Sequence, residues 1–323
     1  MKVSVAEAKR ILSHGGVIAI PTETVYGLAA DATNPKAVEK IFRIKNRPSD
    51  NPLICHFYSF NDAKKYLAPF PVYLHKLTEQ LSPGPVSYML KLQLPSSLTV
   101  ATRGREEVII RIPRHDLLLQ LLREIPFPLA APSANTSGKF SSTNAQMIES
   151  DLGDKIDGVL DGGNSAIGLE STILDCREKN CIRILRPGAV GKDDIEWILR
   201  NEAVTVEENS AISITTPGSK YKHYSPRTPL TEVFSLSEIP SDKKNIAVLG
   251  VSEQLEKNFY KENMKLISLG SERNLQGIAS TLYQKLFELD ALNFDEAYFI
   301  HHEWGESAMG KALSNRISHF LMK

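Results

Sequence analysis

Three polar segments of the chain lie beside short apolar runs and carry the side chains best suited to chemistry. They are residues 21–28, residues 45–47 and residues 132–135. Because ligands in open α/β sheets bind at the ends of strands, we expect three such segments to form one composite site. Basic groups beside hydroxyl and amide groups suit a phosphorylated ligand together with a second ligand that is small and polar.

Four cations cluster near the end of a predicted helix over 35–46. Lys40 and Arg43 lie in its last turns, where positive charge complements the helix dipole, so we interpret them as structural. Lys45 and Arg47 lie where the chain leaves the helix, and we predict that they bind phosphate. A guanidinium can hold phosphate with two parallel hydrogen bonds, and an ammonium group supplies a point charge.

Two further polar residues lie in apolar runs. Arg111 interrupts the strand predicted over 108–112, and a charge in such a strand needs a partner. An ion pair within the protein and recognition of a ligand carboxylate explain Arg111 equally well. His56 ends an apolar strand, where a single histidine is more often a packed residue than a functional one.

Ser141 precedes a predicted helix over 143–152. Thr143 and Gln146 have the spacing of a capping box, which by itself indicates only a well-capped helix. The free backbone N–H groups at a helix start also bind anions, and the hydroxyl of Ser141 lies just before them. Anion binding is the weaker of these two interpretations.

Composition and charge narrow the classes of function. Lys plus Arg and Asp plus Glu number 38 each, so no whole-chain field attracts nucleic acid, and any basic surface is local. The three cysteines form no CxxC pair and are expected to be reduced thiols. The sequence contains no signal-peptide core and no run near the roughly 18 apolar residues of a membrane span, so we expect a cytoplasmic protein. Neither GxxxxGK[ST] nor GxGxxG occurs, and residues 301–303 fit no zinc motif.

Strands and helices alternate along the chain, which predicts a layered α/β fold. We predict strands at 17–20, 52–57, 86–92, 108–112, 128–131, 157–160, 171–175 and 182–185. We predict helices near 4–13, 35–46, 73–81, 115–124, 143–152 and 192–201. Residues 1–201 would form the first domain, 202–228 a linker, and 229–323 a small three-layered Rossmann-like domain. In that last domain the predicted elements are strands 245–249, 266–269 and 296–300 and helices 274–289 and 309–321.

Taken in order, these segments resemble the Sua5/YrdC/YwlC family of threonylcarbamoyl-AMP synthases, in the longer two-domain Sua5 form. The matching stretches are 21–28, 45–48, 51–54, 83–85, 108–113, 131–135, 161–163, 170–173, 185–188, 217–218 and 220–226. The resemblance extends from the start of the chain to about residue 226. It implies a YrdC-like twisted mixed sheet flanked by helices, followed by a small C-terminal Sua5 domain.

The resemblance also implies an activity. L-Threonine, bicarbonate and ATP, with Mg²⁺ on the phosphates, would give threonylcarbamoyl-AMP and pyrophosphate. The enzyme would be a nucleotidyltransferase. Its product would pass to other proteins, the downstream transferases that form N6-threonylcarbamoyladenosine at position 37 of tRNA. Weak binding of tRNA or double-stranded RNA is compatible with that role, and no membrane partner is expected.

Site residues follow from the resemblance by position. Those implied for the threonine pocket are Thr24, His56, Arg111, Ala131 and Ser171. Those implied for the nucleotide are Lys45, Arg47, Asn51, Ser133, Asn135, Ser141, Arg186 and Tyr224. No protein nucleophile or protein metal ligand is implied; Lys45 and Arg47 would act by positioning and charge, and residues 217–226 would form a lid that excludes water.

The sequence departs from the family at 103–107, which read Arg-Gly-Arg-Glu-Glu where Gly-Leu-Asp-Thr is frequent, so we predict no nucleotide contact there. Two other functions stay open at this stage. A non-catalytic RNA-binding module would show steeply salt-dependent RNA binding, and the neutral charge argues against it. Carbamoyl transfer of the hydrogenase-maturation kind shares the YrdC-like domain, but it uses zinc-finger cysteine pairs and an acylphosphatase-like domain that this sequence does not contain.

Overall fold

The computed structural model describes residues 2–208, 225–240, 245–256 and 264–321. The helices of these ranges are α1 (Val5–Ser13), α2 (Pro35–Lys45), α3 (Phe60–Lys64), α4 (Tyr73–Leu81), α5 (Asp116–Glu124), α6 (Ala145–Leu152), α7 (Lys192–Ile198), α8 (Ser252–Glu256), α9 (Leu275–Ala291) and α10 (Ala308–Leu321). The strands are β1 (Ile18–Ile20), β2 (Gly27–Asp31), β3 (Ile54–His56), β4 (Val86–Lys91), β5 (Glu107–Arg111), β6 (Leu129–Ala130), β7 (Gly158–Val159), β8 (Thr172–Asp175), β9 (Cys181–Arg186), β10 (Thr205–Glu208), β11 (Leu230–Val233), β12 (Ile246–Gly250), β13 (Met264–Ser268) and β14 (Glu296–Ile300).

Ten strands form one mixed sheet in the order β10-β9-β8-β4-β5-β3-β6-β2-β1-β7. The predicted mixed α/β fold is confirmed. The sequence did not predict β2, whose Gly-Leu-Ala-Ala-Asp sequence has no β-branched residue; its pairing with β1 and β6 makes it a strand. Strand β10 was also missed. It lies inside the predicted linker but pairs in parallel with β9, so the first sheet continues beyond the predicted limit at 201.

The two faces of the central strands carry different side chains. On one face Cys55, Tyr88 and Ile110 belong to the main core, which also contains residues of α2, α4 and α7. Successive side chains of a strand point to opposite faces. His56 and Arg111 therefore fall on the second face, where the strands carry only a small apolar cluster beside polar groups.

The C-terminal strands form a separate, all-parallel sheet in the order β11-β14-β12-β13. Buried side chains of β12, β14, α9 and α10 form its main core. This arrangement agrees with the predicted small parallel domain. Strand β11 and the short helix α8 were not predicted, because neither is long enough to give a clear apolar period.

The C-terminal domain packs on the segment that precedes β8. Leu169, Val25 and Phe140 of the first domain are part of the core that α9 and α10 build. Gly168 has a φ of +79°, and a Cβ at this position would lie 2.3 Å from the carbonyl oxygen of Ala279 in α9. The close approach of α9 therefore requires glycine at position 168.

Candidate functional site

A polar cleft lies across the second face of the large sheet. It encloses about 740 Å³ of space, its open mouth included. All three polar segments identified in the sequence contribute to its walls. The sequence-predicted residues that line it are Thr24, Lys45, Arg47, His56, Arg111, Ala131, Ser133, Asn135, Ser141, Ser171 and Arg186.

The segments meet for a different reason from the one expected. Ile54 and His56 both line the cleft, and because they are two residues apart in β3 they share one face of the sheet. Strand β6 runs antiparallel to β3, so Ser133, just after β6, lies near the start of β3 rather than its end. The cleft thus lies on a sheet face and not beyond a row of carboxyl ends.

Strand register explains why distant parts of the chain share this face. His56 lies opposite Arg111, which also lies opposite Ser87 on the other side. Ser87 in turn lies opposite Ile173, and Ile173 lies opposite Arg186. Opposed side chains of neighbouring strands project from the same face. This row across five strands sets Arg111 and Arg186 along one wall.

Arg111 carries a buried guanidinium whose bonding capacity is not filled. Its Nη2 lies 2.8 Å from Oε2 of Glu23, which is an ion-pair distance. Within the described ranges, neither Nη2 nor Nε of Arg111 has a partner with hydrogen-bond geometry. Buried polar groups without such a partner cost free energy, so this end of the cleft suits a ligand that brings a carboxylate. The structural ion pair and the ligand contact can coexist on one side chain.

His56 lies beside Arg111 and is buried. Burial, and then the positive charge of Arg111, lower the pKa of His56 to about 3, so the ring is neutral near pH 7. Its Nδ1 has no hydrogen-bond partner in the part of the chain that the structure describes. A neutral imidazole with a free nitrogen can bind a polar ligand group such as a hydroxyl.

Lys45 ends α2 with its ammonium group buried in the cleft wall. Its Nζ donates hydrogen bonds to the backbone carbonyl oxygens of Ser133 and Asn135, which attaches the segment after β6 to α2. Burial, and then the charge of Arg47, lower the pKa of Lys45 well below its ordinary value. An anionic ligand would stabilise the protonated form. The structural role was not predicted, because backbone carbonyl acceptors leave no side-chain pattern.

Arg47 is held by the loop that follows α2. Its Nε donates to the carbonyl oxygen of Asn51 at 3.0 Å, and its Nη2 donates to that of Pro52 at 3.0 Å. Asn51 itself is buried and is not among the described residues that line the cleft. The backbone carbonyl of Asn51 thus helps to orient Arg47, and the contact of Asn51 with the nucleotide stays a prediction.

Ser171 and Arg186 form a bonded pair at the end of the row. Arg186 Nε donates to the carbonyl oxygen of Ser171, and its Nη2 donates to the Ser171 hydroxyl, each at 3.0 Å. The hydroxyl of Ser87 lies 2.8 Å from that of Ser171. These bonds fix Ser171, which is predicted to contact the substrate threonine, beside Arg186, which is predicted to contact the nucleotide. The two predicted half-sites are therefore contiguous.

The segment after β6 presents further polar groups to the cleft. Asn135 Oδ1 and Ser137 Oγ are buried and have no hydrogen-bond partner among the described residues. Ser137 was not predicted from the sequence. The predicted capping box of α6 is wrong: Asn144 is the N-cap, and its side chain accepts from the Met147 backbone N–H at 3.0 Å. Asparagine competes well with threonine for this position because its amide oxygen reaches the free N–H group.

Glu170 is the main site residue that sequence reasoning missed. It is buried in the cleft wall, and its Oε1 accepts a hydrogen bond from the Ser141 hydroxyl at 2.6 Å. Its Oε2 accepts from Nε of Arg316 in α10 at 2.7 Å. A charged residue directly before an apolar strand was the only local signal, since the partner lies 146 positions away.

Two sequence predictions fall at the edge of the described chain. Tyr224, and most of the predicted lid over 217–226, lie outside the described residues. The description resumes at Ser225, whose backbone N–H donates to the carbonyl oxygen of Gly138 at 3.1 Å. Gly138 lies between two residues of the cleft wall, Ser137 and Lys139, so the chain returns beside the site.

The segment that departs from the family pattern, residues 103–107, is not part of the described cleft lining. Arg103 Nε donates to the Ser49 carbonyl oxygen at 2.6 Å, and Arg105 Nη2 donates to the Asp50 carbonyl oxygen at 2.9 Å. Both arginines thus brace the loop that follows α2 and Arg47.

The ranges that the structure describes contain no cluster of metal-binding side chains and no membrane-spanning helix. Within those ranges no three His, Cys, Asp or Glu side chains converge as a metal site would require. None of the helices described has the length and apolar character needed to span a bilayer.

Two family models match the chain. The Sua5/YciO/YrdC model, described as telomere recombination, matches residues 10–188. A model described as the C-terminal domain of threonylcarbamoyl-AMP synthase matches residues 190–319. The chain belongs to the Sua5/YciO/YrdC family, in the form that carries the additional C-terminal domain.

Individual relatives are similar over nearly the whole chain. The threonylcarbamoyl-AMP synthase of Bacillus subtilis is 35% identical, over 97% of this chain and 91% of the relative. The threonylcarbamoyl-AMP synthase of Pyrococcus abyssi is 34% identical, over 96% of this chain and 92% of the relative. The crystal structure of P. abyssi Sua5 complexed with L-threonine superposes with a TM-score of 0.86 at 30% identity, covering 98% of this chain and 94% of that one.

Proposed function

We propose that this protein makes threonylcarbamoyl-AMP from L-threonine, bicarbonate and ATP, with release of pyrophosphate. The observation that carries the proposal is a single cleft whose walls contain an incompletely bonded, buried Arg111 together with Lys45, Arg47 and Arg186. Near-full-length relatives named as synthases of this product, and a similar structure with bound L-threonine, support it.

The end of the cleft around Arg111 would bind threonine. The guanidinium would pair with the amino-acid carboxylate, where two parallel hydrogen bonds match the two carboxylate oxygens. His56 and Thr24 lie in the same wall and supply neutral polar groups for the ammonium or hydroxyl group. Glu23, whose Oε2 lies 2.8 Å from Nη2 of Arg111, would limit rotation of the guanidinium.

The end of the cleft around Arg47 and Arg186 would bind the nucleotide. Arg47, Arg186 and Lys45 together can neutralise most of the charge of a triphosphate. The free Asn135 and Ser137 oxygens then face a ligand with donor groups, as a nucleoside has. The Ser171–Arg186 bonds join this end to the threonine end without a gap.

The proposed chemistry requires position and charge rather than a protein nucleophile. The threonine amine adds to CO₂ derived from bicarbonate and forms an N-carboxylate. One of its oxygens attacks the α-phosphorus of ATP, the bond from that phosphorus to the bridging oxygen breaks, and pyrophosphate leaves. Lys45, Arg47 and Arg186 offset the negative charge that concentrates on the phosphates, and the shared cleft holds the reacting groups close together.

Mg²⁺ is proposed to enter with ATP. The cleft fits an ion held by phosphate oxygens and water rather than by a protein cage, because its buried carboxylate, Glu170, is already bonded to Arg316 and Ser141. The bound ion would neutralise phosphate charge. Delivery of the product to tRNA-modifying transferases and weak binding of tRNA belong to the same proposal, as does a cytoplasmic location.

The direct test is pyrophosphate release from ATP in bicarbonate buffer, with L-threonine, L-serine or no amino acid. We expect release that requires threonine and bicarbonate together, with formation of a threonylcarbamoyl adenylate detectable by mass spectrometry. Pyrophosphate release that does not depend on the amino acid would contradict the proposal. Salt-sensitive RNA binding without any threonine-dependent turnover would contradict it too.

A further inference from the structure

Arg316 connects the C-terminal domain to the first domain through a fully buried guanidinium. It lies in α10 and has no exposed surface. Its Nε donates to Oε2 of Glu170 at 2.7 Å, and its Nη2 donates to the carbonyl oxygen of Pro187 at 3.0 Å. Both acceptors belong to the first domain. Burying a guanidinium in this way is costly unless it is paired, so the pairing with Glu170 is a central feature of the interface.

Glu170 carries this connection on to the cleft. Its Oε1 accepts a hydrogen bond from the Ser141 hydroxyl at 2.6 Å, and Tyr283 of α9 donates to its Oε2 at 3.2 Å. Glu170 and Ser141 both line the cleft. An unbroken series of hydrogen bonds therefore runs from Arg316 through Glu170 to Ser141 in the wall of the nucleotide end.

The charge of Glu170 needs compensation at this position. Burial acts to raise the pKa of Glu170, but the positive charges of Arg316 and Arg186 outweigh it and hold the pKa at about 2. The carboxylate is thus ionised in a wall that would face a polyphosphate. Without Arg316, only Arg186 would compensate this anion beside the phosphates, and like charges at short distance repel strongly in a buried site.

The direction of the Ser141 hydrogen bond defines what the cleft offers a ligand. Because the Ser141 hydroxyl proton is committed to Glu170, the oxygen presents lone pairs to the cleft. Such an oxygen accepts hydrogen bonds. It therefore suits a ribose hydroxyl or a base amino group better than it suits a phosphate oxygen.

We infer that Arg316 is a positioning residue for the nucleotide: by neutralising Glu170, it keeps Ser141 oriented and the nucleotide end of the cleft free of net negative charge. The inference rests on the proposed function and deepens it. It gives the C-terminal domain a part in ATP binding through the described contacts of α10. The threonine end, where Arg111 pairs with Glu23, lies outside this series of bonds.

The test measures dissociation constants of MgATP alone and of L-threonine alone by titration calorimetry, in the full chain. The variant is Arg316→Met, which keeps an apolar stem but removes the guanidinium and its charge. Lys311→Met is the matched control, since Lys311 also lies in α10 and also reaches the first domain, at Glu208, but is partly exposed and remote from the cleft. The double variant Glu170→Gln with Arg316→Met removes both charges together.

We expect Arg316→Met to raise the dissociation constant of MgATP roughly tenfold, the equivalent of about 1.4 kcal/mol. That of threonine should change less than about twofold, and Lys311→Met should change neither, because an exposed pair contributes little. The double variant should recover MgATP binding to within about threefold of the wild type, since no unpaired buried charge remains.

Equal MgATP affinity of Arg316→Met and Lys311→Met would overturn the inference. So would a double variant that folds but binds MgATP as weakly as the single variant. If Arg316→Met alone does not fold, the double variant decides: MgATP binding more than about threefold weaker than that of the wild type would overturn the inference. Failure of the wild-type protein itself to bind MgATP would overturn the proposed function, and the inference with it, so the two failures are distinguishable.

Discussion

Arg111 lies directly opposite His56 in the paired strands β5 and β3, and both side chains line the same cleft. The register places a permanent cation beside an imidazole that burial and that cation keep neutral. A site of this kind can bind a carboxylate through the arginine while offering an uncharged nitrogen to a neighbouring polar group.

Replacing Arg111 by alanine should weaken threonine binding far more than nucleotide binding. Removal of one partner from a buried charge pair typically costs 2–5 kcal/mol, so we expect the threonine KM to rise by roughly 100-fold or more. The KM for ATP should change less than about threefold. The measurement is steady-state pyrophosphate release with each substrate varied in turn.

The matched control for this variant is Arg114→Ala. Arg114 follows the same strand but is exposed and donates to the Pro83 carbonyl oxygen. The Arg114→Ala variant should have KM values for threonine and ATP near those of the wild type. Equal losses for threonine and ATP in Arg111→Ala would show that Arg111 supports the whole cleft and does not recognise the amino acid.

His56 should make stability depend on pH between about 6.5 and 3. The folded-state pKa of about 3 lies below the ordinary value of 6.5, so in this window the unfolded chain binds a proton that the folded chain does not. Stability contributed by the neutral ring is therefore lost as pH falls. At 1.36 kcal/mol per pKa unit, the loss from pH 7 to pH 5 is about 2 kcal/mol.

Replacing His56 by glutamine should remove about 2 kcal/mol of the decrease in the free energy of unfolding between pH 7 and pH 5. The measurement is denaturant titration at each pH. His14, which is exposed after α1, provides the control His14→Gln, with the wild-type slope retained. A His56→Gln variant with an unchanged slope would mean that the ring titrates normally in the folded protein.

Lys45→Met should lower both stability and MgATP affinity. It leaves the buried carbonyl group of Asn135 and the partly buried carbonyl group of Ser133 without this donor, at about 1–3 kcal/mol for a fully buried unpaired group. The control is Lys40→Met in the same helix, because Lys40 also donates to a carbonyl oxygen, that of Gly15, outside the cleft.

We expect Lys40→Met to lose some stability and retain MgATP binding, whereas Lys45→Met loses both. Thermal unfolding with and without MgATP measures the two effects together. Retention of the full MgATP-induced rise in Tm by Lys45→Met would assign Lys45 a structural role only.

Gly168→Ala tests the docking of the C-terminal domain. Gly163 provides a closely matched control because both residues have φ of +79°, but a Cβ at Gly163 would meet no atom within 4 Å in the described structure. Gly163→Ala should cost only the left-handed backbone penalty, about 1 kcal/mol. Gly168→Ala adds a clash with α9 and should cost about 1–3 kcal/mol more in free energy of unfolding. Equal costs would contradict the close packing of α9.

Local sequence signals predicted most of the fold. Apolar periodicity and caps identified the long helices, such as α2 with its Asn34 cap and Pro35, and the strands rich in β-branched residues. Several short strands were missed. Strand β2 contains only glycine, leucine, alanine and aspartate, and β10 is half acidic, so their strand conformation depends on neighbours in the sheet.

Some features of the candidate site could likewise be predicted from local sequence, and others could not. Residue type and order were sufficient to nominate Arg111 and Lys45, because a charge in an apolar strand or at a helix exit is visible locally. The bond from Glu170 to Arg316 joins residues 146 positions apart, and no local pattern specifies it. Nor could the sequence show that the cleft lies on a sheet face, since that depends on β6 running antiparallel to β3.

One cleft is predicted to hold the amino acid and the nucleotide side by side. A crystal structure with L-threonine and a non-hydrolysable ATP analogue, both bound, tests this directly. The predicted result is a threonine carboxylate on Arg111 with the phosphates between Arg47 and Arg186, close enough for the amino group to approach the α-phosphorus once carboxylated. Ligands bound in separate cavities, or a threonine carboxylate away from Arg111, would contradict it.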